Sequence, residues 1–536
     1  MGILTSALDP RSETFQRNAD AMRVLLEEFE QRQAKNRAGG GERAIRRFRE
    51  RGKLLPRERI AQLLDPDTTL FELSTLAAWD MYDNECPAAA EITGIGRVNG
   101  VECMIMANDA TVKGGASYPM SVKKALRAQT IAGENHLPCI YLVETAGANL
   151  LYQAEFFAEM GGRTFANQTR LSAMGVPQIA LVFGSSTAGG AYVPGLSDYV
   201  VMVQGQAKVF LGGPPLVKMA TGEIVDDESL GGAEMHTHVS GVGDYLASDD
   251  ADACRLGREI VADLHWRKPL PAPPTPPRPP RYDPEELLGV IPADSRQAFD
   301  MREIIARVVD DSQFAEFKHD YGTTLVTGYA HIGGFPVGIL ANNGVLFSDS
   351  SLKAAHFIQN CNQRRTPIIY LQNITGYMVG RQYEREGIVK HGAKMINAVA
   401  NASVPQFTVI IGGSFGAGNY GMCGRGYDPR LLFTWPNSRI AVMGAEQASG
   451  VLAIVQGDAL RARGIEPDQD QLAAMRAAVQ QRFDQESSPY YATARLWDDG
   501  IIDPRATRQA LITGLSAAYN QDFVNENHPR YGVFRM

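Results

Sequence analysis

The sequence predicts an α/β protein made of two similar domains in tandem. Three observations carry that prediction: an internal repeat of about 230 residues, buried-type apolar strands alternating with helical stretches, and a proline-rich break between the two copies.

The repeat can be counted. Lys124, Pro138, Tyr141, Leu142 and Gly147 recur as Lys353, Pro367, Tyr370, Leu371 and Gly376, each displaced by 229 residues. Upstream, TGIGRVNGVECMIMAND from Thr93 answers TGYAHIGGFPVGILANN from Thr327. Downstream, VPQIALVFGSSTAGGAY (Val176 to Tyr192) answers VPQFTVIIGGSFGAGNY (Val404 to Tyr420). The displacement drifts only where loops differ in length.

Taken in order, residues 1–60 form a charged helical lead-in (EEFEQRQAKNRAGGGERAIRRFRERGK), expected to be solvated or to touch another subunit. The N-terminal domain, 61–268, then opens with a hairpin-like strand pair and a helix carrying Lys124. A buried strand (CIYLV) comes next, ending in a loop at Gly147; a second helix and a second buried strand (IALVF) lead to a glycine-rich turn and a third helix. Continuous rather than alternating apolar strands mean a sheet covered on both faces. Eight of the 29 prolines fall between Pro269 and Pro280, a composition that favours extended polyproline II, so 269–281 is the linker. The C-terminal domain, 282–536, repeats the plan with Lys353, IIYLQ, Gly376 and TVIIG.

With 44% hydrophobic and 21% charged residues, the chain is neither disordered nor collagenous nor a coiled coil. A net charge of −8 and the lack of a basic stripe interleaved with aromatics argue against a nucleic-acid surface and leave room for a local basic patch that meets a small phosphorylated ligand. Six scattered cysteines without a C-x-x-C offer neither a disulfide framework nor a zinc ribbon and point to a reducing compartment. MGILTSALDPRSETF lacks a signal-peptide pattern, and no apolar run reaches membrane-spanning length, so a cytoplasmic protein without membrane contact is expected.

The 53 glycines concentrate chemistry in two turns. A glycine pair between a buried strand and a helix leaves backbone N–H groups unpaired where the helix dipole favours negative charge, which is an oxyanion hole in outline. Ser186-Thr187-Ala188-Gly189-Gly190 makes one such turn and Phe415-Gly416-Ala417-Gly418 the other, and the loops at Gly147 and Gly376 can each add a donor. Small residues that merely allow close strand-to-helix packing are the competing reading, weakened by recurrence at matched repeat positions. Gly412-Gly413-Ser414-Phe415-Gly416 also fits the G-x-S-x-G nucleophile elbow, with Asp428 and His528 following in the order of a serine hydrolase. That fold predicts no tandem repeat. Gly416, Gly418 and Gly421 fit G-x-G-x-x-G with Glu446 as ribose ligand, but the N-terminal copy lacks the spacing. His236 and His238 alternate in EMHTHVSG without a third ligand, so no metal is expected.

RGKLLPRERIAQLLDP (from Arg51), NDATVKGGASYPMSVKK (from Asn108), GVIPADSRQAFDMREIIARVVD (from Gly289), LQNITGYMVG (from Leu371), GGSFGAGNYGMCGRGYDPR (from Gly412) and ARLWDDGIIDP (from Ala494) together resemble the biotin-dependent acyl-CoA carboxylases. The likeness is to their carboxyltransferase β subunits, in the methylcrotonyl-CoA and geranyl-CoA branch, and spans essentially the whole chain. It implies two crotonase-like (ClpP/crotonase) domains with layered sheets and flanking helices, the first binding acyl-CoA and the second biotin. By this resemblance Gly189 and Gly190 hold the thioester oxygen and Ala417 and Gly418 the biotin oxygen, within a biotin-binding turn that includes Phe415 and Gly416. Gly147 and Gly376 support these sites and Ala148 lies on the acyl-CoA side; the CoA phosphates are expected near Lys113, Lys123 or Lys124, the other reading of each being an ordinary surface lysine. The chain has no A-M-K-M biotin-attachment sequence, so the resemblance implies a biotinylated α partner that uses ATP and bicarbonate, in an α6β6 assembly with a β6 core. The position of Gly161, followed by Gly162, is typically phenylalanine in the methylcrotonyl-CoA enzymes and glycine in the geranyl-CoA branch. The small residue here favours geranyl-CoA over 3-methylcrotonyl-CoA; the other reading of the pair is a plain helix boundary.

Overall fold

The computed structural model describes residues 2–294, 297–525 and 531–536. A short strand, β1 (Gly2–Ile3), precedes the long helix Glu13–Arg37, which Ser12 caps by accepting the Phe15 N–H. The N-terminal sheet is built from β2 (Phe71–Leu73), β3 (Glu91–Val98), β4 (Val101–Asn108), β5 (Cys139–Thr145), β6 (Gln178–Thr187), β7 (Tyr199–Val203), β8 (Lys208–Phe210) and β9 (Tyr245–Ala247). The C-terminal sheet contains β10 (Gln313–Glu316), β11 (Leu325–Ile332), β12 (Phe335–Asn342), β13 (Ile368–Ile374), β14 (Gln406–Phe415), β15 (Leu431–Thr434) and β16 (Arg439–Ala441), joined by β1.

The two sheets share one plan. β3 and β4 form an antiparallel hairpin, as do β11 and β12. Both hairpins turn through two residues of positive φ, Asn99-Gly100 and Gly333-Gly334, the geometry that suits the right-handed twist of paired strands. A crossover helix, Pro119–Asn135 or Ser348–Gln363, then places β5 or β13 parallel to the hairpin, and β6 or β14 parallel to that. The repeat extends to single hydrogen bonds: Tyr141 and Tyr370 each donate to a glutamine carbonyl, Gln178 and Gln406, at 2.7 Å.

The halves are not beads on a linker. β1 pairs with β10, so residues from the start of the chain complete the C-terminal sheet. Helix Glu13–Arg37 buries Phe15, Ala19, Met22 and Leu26, and the Phe15 ring occupies the space that a Cβ on Gly289 would take. One face of the lead-in's long helix is thus packed within the chain, while the following helix, Gly41–Glu50, buries only Phe48. The proline-rich segment is also tied down, with both the backbone N–H and the hydroxyl of Thr275 donating to the Gly334 carbonyl. One hydrophobic core runs from β4, β5 and β6 through β11 and β14.

A buried carboxylate joins the halves directly. Asp499 receives Arg127 of the N-terminal crossover helix at 2.8 and 2.9 Å, Arg425 at 2.9 and 3.2 Å, and the Leu432 N–H at 2.8 Å. Burial alone would raise its pKa, but the two guanidinium groups outweigh it and hold the carboxyl below the usual range. Asp499→Ala would leave two largely buried cations unpaired and should cost about 3–5 kcal/mol in chemical denaturation. Its neighbour Asp498 is different. Burial pushes that carboxyl up to about 7, against the pull of the nearby Thr493 hydroxyl and Arg425. An acid raised in the folded state binds its proton more tightly there than when unfolded. Its contribution to stability is therefore lost as pH rises from the ordinary carboxylate range through about 7. Asp498→Asn should raise the unfolding temperature more at pH 8 than at pH 5; equal shifts at both would refute the assignment.

Candidate active site

Each glycine-rich turn stands on a fault in the sheet. In the N-terminal half the β5–β6 register passes from Val143↔Val182 to Thr145↔Ser186, so one residue of β5 faces three of β6. In the C-terminal half it passes from Gln372↔Ile410 to Ile374↔Ser414, the same slip at the matching place. The extra residues bend the strand and aim the turn at its end. The middle residue is glycine in both, Gly184 and Gly412, where a Cβ would lie 2.5 Å from the side chain of Glu144 or Asn373. Gly184, Glu144 and Asn373 had no role in the sequence reading, and Gly412 entered it only through the nucleophile-elbow motif, although each pair sits at equivalent repeat positions and was findable by that symmetry.

β6 ends in a short helical turn, Ala188–Ala191, and β14 in the helix Gly416–Gly421. The first N–H groups of such turns have no acceptor behind them in the helix. A Cβ on Gly190 would sit 2.7 Å from Thr145 Cγ2, and one on Gly418 would sit 2.6 Å from Ile374 Cγ1. Both turns therefore press against the loop after the preceding strand, where Gly147 (φ +84°) and Gly376 (φ +132°) lie. Those loops match too: the Ser117 N–H donates to the Gly147 carbonyl at 2.9 Å, and the Leu346 N–H donates to the Gly376 carbonyl at 3.1 Å. They differ in one respect. The Gly147 N–H donates to Thr145 Oγ1 at 3.0 Å, which removes it from the free donors of the N-terminal turn, whereas isoleucine at 374 offers no such acceptor. Ala148 lies in the same loop, bridged to Ser117.

Gly161 and Gly162 stand at the start of helix Gly162–Ala173. Phe165, one turn further on, lies 3.5 Å from the position of a Gly189 Cβ and packs its ring 5.8 Å from that of Tyr192. The structure thus brings the Gly161 segment to the N-terminal turn. A Cβ on Gly161 would meet only Phe156, at 3.4 and 3.7 Å, and one on Gly162 would meet nothing within 4 Å.

Several side chains that the sequence singled out have partners within the fold. Lys124 does not face a ligand: it is buried, and its ammonium donates to the Glu91 and Ala88 carbonyls at 2.6 and 3.1 Å. Burial lowers its pKa to about 8 even beside Glu72 and Glu91. Lys353 does the same in the other half, donating to the Leu325 carbonyl at 2.7 Å, so these repeated lysines staple helix to strand. Lys123 donates to the Arg495 carbonyl, and exposed Lys113 pairs with Glu85 at 3.0 Å. Ser414 is not an exposed nucleophile. Its buried hydroxyl donates to Gln372 Oε1 at 2.6 Å and accepts from Asn419 Nδ2 at 2.7 Å; His528 lies outside the described residues. His236 spends both ring nitrogens on Ser240 and the Val209 carbonyl. Among the described residues no group of three or more His, Cys, Asp or Glu side chains is placed to hold a metal ion, and no helix is long and apolar enough to cross a membrane.

Comparison with known proteins identifies the family. The family described as "Carboxyl transferase domain" matches residues 47–531. A probable biotin-dependent acyl-coenzyme A carboxylase beta2 subunit of Mycobacterium tuberculosis is 55% identical over all of both chains. The biotin-dependent 3-methylcrotonyl-coenzyme A carboxylase beta1 subunit of the same organism is 54% identical, covering 97% of this chain and 98% of its own. The crystal structure of the P. aeruginosa geranyl-CoA carboxylase beta subunit superposes with a TM-score of 0.91 at 47% identity, over 99% of each chain. The chain belongs to the carboxyl transferase family, among the β subunits of biotin-dependent acyl-CoA carboxylases.

Proposed function

We propose that the chain is the carboxyltransferase β subunit of a geranyl-CoA carboxylase, placing a carboxyl group on the γ-carbon of the enoyl thioester. The observation that carries the choice of acyl chain is the open Gly161, one helical turn from the Phe165 that covers Gly189. A glycine there leaves room for a longer isoprenoid chain beside the turn. The second reading, 3-methylcrotonyl-CoA, is favoured by the higher identity to the relative of that name, 54% against 47% for the geranyl-CoA structure.

The residues suit the chemistry. Negative charge develops on the thioester oxygen as the acceptor carbon becomes nucleophilic, and donors already in place stabilise it without reorganising. The Gly189-Gly190 turn offers those donors. We assign biotin to the C-terminal turn, where Gly416 has φ +55° and its Cβ position lies 3.0 Å from the Val442 carbonyl, so that only glycine suits the close approach of the two backbones. When bound there, biotin supplies the carboxyl group. Phe415, Gly416, Ala417 and Gly418 would hold its ring, and the Ala417 and Gly418 backbone would face its ureido oxygen. A biotinylated α subunit using ATP and bicarbonate completes the enzyme, as an α6β6 cytoplasmic assembly around a β6 core. The isolated chain should not carboxylate any acyl-CoA with ATP and bicarbonate, and co-expression with its α partner should establish the activity. Full activity of the chain alone would refute this division of labour.

A further inference from the structure

The two register slips leave the same backbone carbonyl without its ladder partner, and the halves supply that partner differently. In the C-terminal half the Ile411 carbonyl receives Asn437 Nδ2 at 2.9 Å, and Asn373 Oδ1 accepts the Gly413 N–H at 3.0 Å. These are neutral amides. In the N-terminal half the matching Phe183 carbonyl receives Lys53 Nζ at 2.9 Å, and Glu144 stands where Asn373 does. Glu144 is held from both sides, by Lys53 at 2.6 Å and Arg59 at 2.8 Å, and Arg59 is fixed in turn by Asp250 at 2.8 Å and lies 4.3 Å over the Phe183 ring. All four charged side chains are largely buried. The lysine comes from the segment before the domain, not from the sheet.

We propose that Lys53 is a positioning residue for the acyl side of the reaction: anchored on Glu144, its ammonium fixes the β6 bulge from which the Ser186–Gly190 turn springs. This rests on the carboxyltransferase reading but not on the identity of the acyl chain. A buried cluster of paired charges holds one arrangement more strictly than amides do, because any displacement leaves a buried charge unpaired. Donors aimed at a developing oxyanion act through their position in the transition state, so loosening the bulge should lower kcat and leave ground-state binding nearly untouched.

The experiment compares Lys53→Met with Asn437→Ala in the reconstituted αβ enzyme, using whichever acyl-CoA ester the wild type carboxylates best. Lys53→Met should lower kcat at least tenfold, with the KM for acyl-CoA within about threefold of wild type. Asn437→Ala, which removes a neutral amide and leaves no buried charge unpaired, should lower kcat less than about threefold. Lys53→Arg, which keeps the charge and both hydrogen bonds, should recover at least a third of kcat. If Lys53→Met does not assemble, Glu144→Gln is read in its place, since it keeps the shape while releasing the ammonium; it should lower kcat with the same unchanged KM. A fall in unfolding temperature with kcat retained, or identical changes in the two halves' variants, would overturn the proposal while leaving the carboxyltransferase reading intact. Absence of turnover with every ester in the wild type would overturn both.

Discussion

Gly190→Val and Gly418→Val should each slow carboxyl transfer by at least a hundredfold while leaving the protein folded and assembled. The loss of one oxyanion donor commonly costs about 3 kcal/mol of barrier. Here the damage has a visible source. The first atom of any side chain at 190 would lie 2.7 Å from Thr145 Cγ2, and at 418 it would lie 2.6 Å from Ile374 Cγ1. Neither neighbour can retreat, because each stands at the end of a buried central strand. The turn must therefore rise off its loop and carry its donors with it. Alanine at either position should already be harmful. Rates in the reconstituted enzyme, with size-exclusion chromatography to confirm assembly, provide the check; wild-type rates in both valine variants would show that these turns only pack.

Gly161→Phe should reduce kcat/KM for geranyl-CoA at least tenfold and change that for 3-methylcrotonyl-CoA less than threefold. The backbone at 161 already adopts ordinary right-handed helical angles, so a side chain introduces no strain. Its Cβ would meet only Phe156, and the new ring would fill on the order of 100 Å3, comparable to a cavity that admits benzene. A wild-type enzyme that strongly prefers methylcrotonyl-CoA, or a variant that leaves geranyl-CoA turnover unchanged, would defeat the pocket assignment.

The repeated features were the ones legible in the sequence. Two copies of one pattern located the hairpins, the buried parallel strands and both glycine turns, because each demands a residue type that symmetry then confirms. Side-chain direction was not legible. A lysine on a crossover helix looks like surface charge, yet Lys124 and Lys353 reach strand carbonyls that only the fold brings near. Ser414 matched a nucleophile motif because the motif records spacing, while the register slip turns its hydroxyl inward toward Gln372. The role of Gly184 was hidden for a similar reason: its constraint comes from Glu144 on the neighbouring strand, far away in sequence.

The placement of the first residues carries a consequence for how the molecule is made. Gly2 and Ile3 pair with Gln313 and Phe314, and Phe15 seats against Gly289. During synthesis these early residues must wait until more than half the chain has emerged before they find their partners. Contacts of such long sequence separation carry a large loop-closure entropy and slow the search. Through that interval helix Glu13–Arg37 presents Phe15, Met22 and Leu26 without cover. Until residues 289 and 313–314 arrive, these apolar side chains lack the partners that cover them in the fold, and that interval is when they are open to chaperones and to aggregation.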